Sequence, residues 1–510
     1  MEKNMADRLL KWYDRHGRTL PFRGTKNPYR IWVSEIMLQQ TRTETVGVYF
    51  MNFLERFPDV FALAAAREQD VLKMWEGLGY YSRARNLHKA AQMAVREWNG
   101  VFPADYEKLL SLPGVGEYTA AAIASIAFDL PRPAMDGNLT RVFSRLHGVR
   151  EDVAIPSVKR KLADIAGREM PRQRCGDFNQ ALMDLGATVC TPGTPDCDRC
   201  PLKGLCDAYR EGDADMLPVK AAQKAPKKVD MAVLLISCQG HILMKKRTEA
   251  LLKNMWVYPL AEDTENEEQV KQAVKKMGLE PVDTIKLCDA RHVFTHRIWQ
   301  MQIWHCPVRL ENKTVAGQWF SLSEMAALPI PTAVKAARQE AVRIILEKMQ
   351  FVRLNSKRFS NYQPTAYAYW ESWMQVNKDK GSPQFVKEHT PTYMEMVLRG
   401  HASAGRDVYS LQVGDKVVGV MVLDEAANEI CTLYVQPDVQ KMGIGTRAVQ
   451  FALSHLDGTR DMHVTALDHV PHALRMYKKA GFVQVKDHRL LNKTYDVWET
   501  ALVRPAGDKR

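Results

Sequence analysis

Four cysteines lie within one short loop, CTPGTPDCDRCPLKGLC at 190–206, with the spacing C-x6-C-x2-C-x5-C. Such a loop can form disulfides, bind zinc or hold an iron–sulfur cluster. In a reducing compartment, clustered cysteines bind metal more often than they form disulfides. Zinc sites usually take two tight cysteine pairs, whereas only Cys197 and Cys200 form one here. The spacing therefore favours a 4Fe–4S cluster and leaves zinc as the alternative.

The N-terminus and the hydropathy of the chain predict a cytoplasmic protein. The N-terminal residues MEKNMADRLLKWYDRHGR are charged, with no apolar run followed by a cleavage site. No stretch approaches the roughly 18 apolar residues that span a bilayer, so we expect no membrane association. The net charge of +12 suits a polyanionic partner such as DNA, although charge alone is a weak indication.

The length of 510 residues predicts about three domains. Helical periodicity runs through residues 1–210, which we assign to an all-α domain. The stretch 211–230 is charged and rich in Ala, Pro and Lys and is interpreted as a connector. Strand and helix patterns then predict an α+β domain at 229–348. A second connector, FVRLNSKRFSNYQP, precedes an α/β domain at 360–505, so the predicted fold class is multidomain.

The stretch LPGVGEYTAAAIASIAF at 112–128 contains a glycine loop between two helical patterns. Gly114 and Gly116 allow a tight turn and a close approach of phosphate to the backbone amides. These amides begin a helix, and the N-terminus of a helix favours an anion. A helix–hairpin–helix binds the DNA backbone with this arrangement. A simple turn between two helices is the alternative.

Several motifs together resemble the MutY-type adenine DNA glycosylases of the endonuclease III-like, helix–hairpin–helix superfamily. They are WVSEIMLQQTR (32–42), GLGYYSRARNLHKAA (77–91), LPGVGEYTA, PAMDGN and the cysteine spacing. The resemblance covers about residues 7–210. It implies a 4Fe–4S cluster, double-stranded DNA as partner and a monomer as the default oligomeric state. The implied cluster ligands are Cys190, Cys197, Cys200 and Cys206.

Cleavage of an adenine–deoxyribose bond needs an acid for the base and a carboxylate facing the developing oxocarbenium ion. The resemblance assigns these roles to Glu35 and Asp136, with Tyr118 and Asn138 assisting. We expect burial to raise the pKa of Glu35, and we expect Asp136 to stay ionised. In the alternative interpretation, Glu35 is a surface residue of a helix and Asp136 is an N-cap. The implied DNA-contacting residues are Gln39, Gln40, Arg42, Tyr80, Gly114 and Gly116.

Tyr118 stands where bifunctional members of the superfamily carry a lysine that forms a Schiff base. A phenol cannot form that adduct, so the sequence predicts a monofunctional glycosylase that leaves an abasic site. A thymine glycol-type glycosylase and lyase is the alternative.

The second domain resembles the Nudix-like C-terminal domain of the same family, but AEDTENEEQVKQAVKKMGLE (261–280) lacks the clustered glutamates that hold magnesium. We therefore expect no nucleotide hydrolysis. The family recognises 8-oxoguanine with a Phe-Ser-His loop, and Phe294, Thr295 and His296 occupy the matching positions. A buried strand with an aromatic residue is the alternative.

The third domain contains QKMGIGT (440–446) before a helix and HALRMYKKAGFVQV further on, which together resemble the GNAT acetyltransferases. The resemblance implies acetyl-CoA, held by Val435, Gln440, Lys441, Gly443, Gly445 and Thr446. It assigns to Tyr477 the protonation of the departing thiolate. No general-base glutamate stands near ICTLYV, so a degenerate CoA-binding fold is the alternative.

The combined prediction is a base-excision repair enzyme that removes adenine opposite 8-oxoguanine or guanine, with an appended N-acetyltransferase whose acceptor the sequence does not identify. The alternative from another class is a DNA-tethered acetyltransferase whose glycosylase half only binds DNA.

Overall fold

The structure, a computed structural model, describes residues 4–221, 225–309, 315–354, 362–379, 383–492 and 497–507. The chain divides into two compact units. The first comprises Met1–Pro226, Arg247–Met255 and Pro329–Thr332, and the second comprises Lys227–Lys246, Trp256–Leu328 and Ala333–Arg510.

The first unit is helical between residues 4 and 221, as the periodicity predicts. Its helices are α1 (Met5–His16), α2 (Pro28–Leu38), α3 (Thr43–Arg56), α4 (Val60–Ala65), α5 (Glu68–Met74), α6 (Ser82–Trp98), α7 (Tyr106–Leu110), α8 (Glu117–Phe128), α9 (Gly137–Leu146), α10 (Pro156–Glu169), α11 (Cys175–Thr188) and α12 (Asp207–Glu211).

Helices α2 and α8 form the centre of this unit. Both are apolar around nearly their whole circumference, which is typical of helices buried on all sides. Trp32 of α2 is fully buried against Phe102, and the alanines of α8 let neighbouring helices approach closely. Asn179 of α11 donates hydrogen bonds to Ser125 of α8 and to the carbonyl of Arg132, which fixes the loop that precedes α9.

The first sheet of the second unit has the strand order β3-β2-β1-β6-β5, with β4 paired to β1 and β7 paired to β2. Its elements are β1 (Lys227–Cys238), β2 (His241–Lys246), β3 (Trp256–Val257), β4 (Leu260–Glu262), α13 (Glu267–Lys276), β5 (Ile285–Val293), β6 (Arg297–Pro307), β7 (Gln318–Phe320), α14 (Leu322–Ala327) and α15 (Lys335–Glu347). Strands β1 and β6 run parallel, and α13 covers the sheet through Val270 and Val274.

The second sheet has the order β13-β14-β12-β11-β10-β9-β8. Its elements are β8 (Gln350–Arg353), α16 (Gln363–Asn377), α17 (Pro383–Glu388), α18 (Pro391–Ser403), β9 (Asp407–Val413), β10 (Lys416–Asp424), β11 (Glu429–Val435), α19 (Ile444–His455), β12 (Met462–Leu467), α20 (Pro471–Lys479), β13 (Val483–Asn492) and β14 (Val497–Arg504). Strands β11 and β12 are parallel but pair only at Glu429–His463 and Ile430–Val464, beyond which they diverge.

Both predicted connectors are shorter than the sequence suggested. The last residues of 211–230 already belong to β1, which starts at Lys227. The second connector begins inside β8, where Phe351 pairs with Leu411 of β9; its residues 355–361 lie outside the described part of the chain. Local sequence patterns do not predict such an edge strand, because the strand with which it pairs lies about 60 residues away in the chain. The three domain ranges stay predictions.

No helix among the described residues is long and apolar enough to cross a membrane.

Candidate active sites

The packing of α2 against α8 brings Glu35 and Tyr118 together. Glu35 is 6% exposed, and the Tyr118 hydroxyl donates to its Oε2 at 2.5 Å. Burial raises the pKa of Glu35 to about 7, although the hydrogen bond from Tyr118 and the charge of Arg23 oppose this rise. Glu35 is therefore a buried acid, not the exposed helix residue of the alternative interpretation.

Asp136 is the N-cap of α9, and its Oδ1 accepts a hydrogen bond from the Leu139 amide at 2.7 Å. The Asn138 side chain donates to its other oxygen at 2.8 Å. These bonds favour the charged carboxylate, but burial is the larger effect and raises the pKa of Asp136 above its ordinary value. Asp136 therefore caps α9 and can also belong to the candidate site.

Glu35, Tyr118, Asp136 and Asn138 all line one cavity of about 210 Å³. The structure therefore brings together the four residues that the sequence assigned to chemistry. Gly186 of α11 makes room for Asn138, because a Cβ at this glycine would lie 2.6 Å from the Asn138 Cβ. An acid, a hydroxyl and a second carboxylate around one cavity suit cleavage of a glycosidic bond.

A buried ion cluster beside this cavity was missed by the sequence reasoning. Asp184 of α11 is fully buried, and its carboxylate accepts hydrogen bonds from Arg18 and from both terminal nitrogens of Arg23. Arg23 also lines the cavity and lowers the pKa of Glu35. The partners lie about 160 residues apart, so no local motif could have revealed them.

Gln40 and Tyr80, two of the predicted DNA-contacting residues, are both exposed and both have left-handed backbone, with φ of 56° and 46°. Such φ values are uncommon for residues other than glycine and are kept only where the surroundings impose them. The side chain of Arg83 forms hydrogen bonds to residues on both sides of Gln40 and to the residue before Tyr80.

Arg83 of α6 is 8% exposed and joins the two segments. Its Nη1 donates to the carbonyls of Ile36, Met37 and Gln39, and its Nη2 donates to the Thr41 hydroxyl and the carbonyls of Leu78 and Gly79. The guanidinium therefore joins the residues around Gln40 to those that precede Tyr80.

The other predicted DNA contacts lie on nearby backbone. Gly114 has φ +78° and Gly116 is the N-cap of α8, so the glycine loop opens the helix as predicted. Arg42 is exposed at the N-cap of α3. Gln39 is partly buried and donates to the Thr119 hydroxyl at 3.1 Å, which places it beside the hairpin helix.

The four loop cysteines are partly buried, and none of the four forms a disulfide. Within the described ranges, no three His, Cys, Asp or Glu side chains adopt the arrangement of a single-ion site. The thiols are nevertheless close enough to interact, because Cys190, Cys206 and Cys197 each add to the rise in the pKa of Cys200, whose largest cause is burial. Thiols within electrostatic range of one another are the donor set from which a 4Fe–4S cluster takes one thiolate per iron.

Arg145 holds the cysteine loop in place. It is 1% exposed, and its guanidinium donates to Cys190 Sγ at 3.3 Å and to the carbonyls of Thr191, Gly193 and Leu217. The charge of Arg145 also opposes the burial that raises the pKa of Cys197.

Phe294, Thr295 and His296 form the turn between β5 and β6. The Phe294 ring lies edge-on to Trp299 at 4.9 Å and to His292 at 4.6 Å, while Thr295 and His296 are exposed. The segment is therefore a turn that presents two polar side chains, not the buried strand of the alternative interpretation.

The second sheet holds another cavity, of about 550 Å³, between the diverging ends of β11 and β12. The glycine loop closes one side of it, with Gly443 at φ +93° as the N-cap of α19. A Cβ on Gly445 would lie 2.9 Å from the Met476 Sδ, so a larger residue there would narrow the cavity. The predicted residues that line the cavity are Val435, Gln440, Lys441, Gly443, Gly445, Thr446 and Tyr477.

Tyr477 of α20 is 4% exposed, and burial raises its pKa well above the usual value. It therefore keeps its proton, as a proton donor must. Glu499 of β14 lines the same cavity and is 8% exposed. The sequence search near ICTLYV missed this carboxylate because β14 reaches the cavity through its pairing with β12, with Leu467 opposite Glu499.

Comparison with known proteins gives three family matches. The HhH-GPD superfamily of base excision DNA repair proteins matches residues 33–166, the NUDIX domain matches residues 231–340, and the acetyltransferase (GNAT) domain matches residues 376–493. The predicted fold class is thereby confirmed.

Three relatives show how far the similarity extends, and each is an adenine DNA glycosylase. The one from Buchnera aphidicola subsp. Schizaphis graminum is 31% identical over 337 residues, which cover 64% of this chain and 95% of the relative. The one from Homo sapiens is 31% identical over 394 residues, 64% of this chain and 72% of the relative. The one from Mycobacterium tuberculosis is 45% identical over 196 residues, 38% of this chain and 64% of the relative.

Proposed function

The chain belongs to the adenine DNA glycosylase family and carries a C-terminal GNAT acetyltransferase domain, and we propose that it hydrolyses the glycosidic bond of adenine opposite 8-oxoguanine or guanine in duplex DNA. The observation that carries the proposal is the shared cavity of Glu35 and Asp136, in which burial raises the pKa of Glu35 to about 7. An acid with that pKa is protonated in half of the molecules at neutral pH.

Glu35 gives its proton to a ring nitrogen of the flipped adenine, which turns the base into a better leaving group. The Tyr118 hydroxyl stabilises the carboxylate that remains after the transfer. Asp136 faces the positive charge that develops on the sugar, and the amide of Asn138 orients it. Water then completes hydrolysis at the sugar carbon.

Gln40 and Tyr80 fill the gap in the base stack that the flipped adenine leaves. Arg42 and the hairpin amides at Gly114 and Gly116 hold the phosphate backbone, and Gln39 lies beside the opposite base. The exposed turn of Phe294, Thr295 and His296 contacts 8-oxoguanine. A threonine at the middle position keeps the hydroxyl that a serine would supply and adds a methyl group.

The thiols of Cys190, Cys197, Cys200 and Cys206 would hold a 4Fe–4S cluster. Such a cluster would cross-link the loop, and no step of base removal depends on it. The Arg145 guanidinium supports the loop from the inside.

The C-terminal cavity would bind acetyl-CoA as the acetyl donor. The backbone amides of the loop Gln440–Thr446 suit its pyrophosphate, and Lys441 adds a positive charge. Tyr477 supplies the proton to the leaving thiolate.

The test is excision from a labelled duplex that carries adenine opposite 8-oxoguanine, guanine or thymine. We expect abasic sites that break only after alkali treatment, with adenine opposite 8-oxoguanine removed fastest and adenine opposite thymine left intact. Breakage without alkali would refute the monofunctional assignment. Equal rates on all three duplexes would refute the lesion preference.

A further inference from the structure

Two arginines in the segment between α1 and α2 share one buried carboxylate of α11. The side chain of Asp184 is fully buried, whereas that of Arg23 is 12% exposed and that of Arg18 is 30% exposed. Both terminal nitrogens of Arg23 donate to Asp184, at 2.5 and 2.8 Å. Arg18 donates its Nε at 2.7 Å and its backbone amide at 2.9 Å. Bonds of this kind to a charged carboxylate are strong and hold both guanidinium groups in place.

The cluster leaves an excess positive charge beside the catalytic cavity. Arg18 and Arg23 line the same cavity as Glu35. Burial alone would raise the pKa of Asp184, but the two arginines outweigh burial and the pKa lies below its ordinary value, so the carboxylate is charged at neutral pH. Tyr13 of α1 lies within electrostatic range of Arg23 and Asp184, and burial raises its pKa, so it stays neutral. Two guanidinium groups therefore face a single negative charge.

The excess charge acts on Glu35 together with groups from three neighbouring helices. Burial is the largest influence on the pKa of Glu35 and raises it, and the charge of Asp136 on α9 adds to the rise. The hydrogen bond from Tyr118 on α8 and the charge of Arg23 lower it. The guanidinium of Arg83 on α6 also packs against α2, but it donates to backbone carbonyls. A guanidinium that moved closer to Glu35 would favour its ionised form and remove the acidic proton.

We propose that Asp184 is a positioning residue that keeps Arg23 away from Glu35 and so preserves the proton of the catalytic acid. This inference rests on the proposed role of Glu35 as the acid in adenine removal. The bidentate contact commits the guanidinium of Arg23 to α11, on the far side of an ion pair that spans 161 residues. The same carboxylate cancels one of the two positive charges, so the cavity keeps one excess cation and not two.

Asp184→Asn keeps the shape of the side chain and removes its charge, so the excess positive charge grows and Arg23 is released. We expect the alkaline limb of single-turnover excision of adenine opposite 8-oxoguanine to move about one pH unit or more to lower pH. A shift of one unit lowers the protonated fraction of Glu35 about fivefold at pH 7 but only by about a tenth at pH 5, and the rate should follow that fraction.

Arg23→Met tests the same inference with the opposite sign. Asp184 keeps Arg18 as its partner in this variant, and the excess positive charge is lost. The alkaline limb should therefore move to higher pH. A double variant with Asp184→Asn and Arg23→Met loses one charge of each sign, so its limb should return at least to the wild-type position. If Asp184 only stabilised the fold, its loss would lower the rate equally at every pH, and the second substitution would restore nothing.

Asp177→Asn is the matched control, because Asp177 lies on the same helix, pairs with Arg174 at 2.8 Å and is not among the described residues that line the cavity. Its limb should coincide with that of the wild type. An unmoved limb in Asp184→Asn, or a double variant whose limb stays with that of Asp184→Asn, would overturn the inference. If Asp184→Asn does not fold, a limb in Arg23→Met that fails to move to higher pH would overturn it. A wild type that excises no adenine would refute the proposed glycosylase itself.

Discussion

Replacement of Tyr118 by Phe should move the alkaline limb of the pH–rate profile of excision to higher pH. The hydroxyl of Tyr118 donates to Glu35 Oε2 at 2.5 Å and so favours the ionised carboxylate. Without this bond, Glu35 holds its own carboxyl proton more tightly, and its pKa rises above the value of about 7 in the wild type.

The size of the shift follows from the strength of the lost bond. A hydrogen bond to a charged group contributes about 1.5–3 kcal/mol, which corresponds to about one to two pH units. In the wild type, the protonated fraction of Glu35 falls about 50-fold between pH 7 and pH 9. With a pKa higher by one to two units, the fall over the same range is about two- to tenfold.

The assay is single-turnover excision of adenine opposite 8-oxoguanine at saturating protein between pH 5.5 and 9.5. Tyr49→Phe is the matched control, because the hydroxyl of Tyr49 donates to the backbone carbonyl of Glu76 and not to a carboxylate. Its alkaline limb should coincide with that of the wild type. A limb that stays in place or moves to lower pH in Tyr118→Phe would refute this account of the acid.

Three further predictions concern the rest of the first unit. Asp136→Asn should lose excision at least about 100-fold while duplex binding, measured by fluorescence anisotropy, stays within about threefold; unchanged excision would remove Asp136 from the chemistry. Arg83→Met should lower the single-turnover rate at saturating DNA more than it weakens DNA binding, because the segments of Gln40 and Tyr80 lose the guanidinium that joins them. The rate of Arg83→Lys should lie between those of the wild type and Arg83→Met. An effect on binding alone would contradict this role of Arg83. Cys197→Ser should lower the iron content of the purified chain and speed proteolytic cleavage within 190–206; full iron content would contradict the ligand assignment.

The buried acid explains why the position of Glu35 matters as much as its identity. With the ordinary value of 4.5, about 0.3% of the carboxyl groups would be protonated at pH 7. With a pKa of about 7, half of them are, which is a gain of about 150-fold in the protonated fraction, or about 3 kcal/mol. Because the pKa is raised, protonated Glu35 is fully present well below pH 7 and is lost as the pH rises above it.

The sequence predicted those features that local patterns encode. The helices of 1–210, the glycine loop before α8 and the cysteine loop each depend on residues close together in the chain. Glu35 was placed in an apolar helix, and burial raises its pKa as expected. For Asp136 the expectation was incomplete, because burial raises its pKa in spite of the N-cap bonds.

Long-range pairing could not be predicted from the sequence. Asp184 neutralises Arg23 across 161 residues, and Glu499 enters its cavity through the register of β14 on β12. Arg83 is one of two arginines in its motif, and only the fold shows that its guanidinium joins two loops. Such contacts depend on how distant elements pack, and the local pattern of each element does not encode that packing.

The most direct test of the central claim compares Glu35→Gln with Glu55→Gln in single-turnover excision of adenine opposite 8-oxoguanine. Glu55 is an exposed carboxylate on α3 and controls for the loss of one charge. The side-chain amide introduced by Glu35→Gln fits the same space as the carboxyl group but cannot donate an acidic proton. We predict excision by the wild type and by Glu55→Gln, and none above background by Glu35→Gln, with all three binding the duplex. Excision by Glu35→Gln at the wild-type rate would contradict the assignment of the buried carboxyl as the acid.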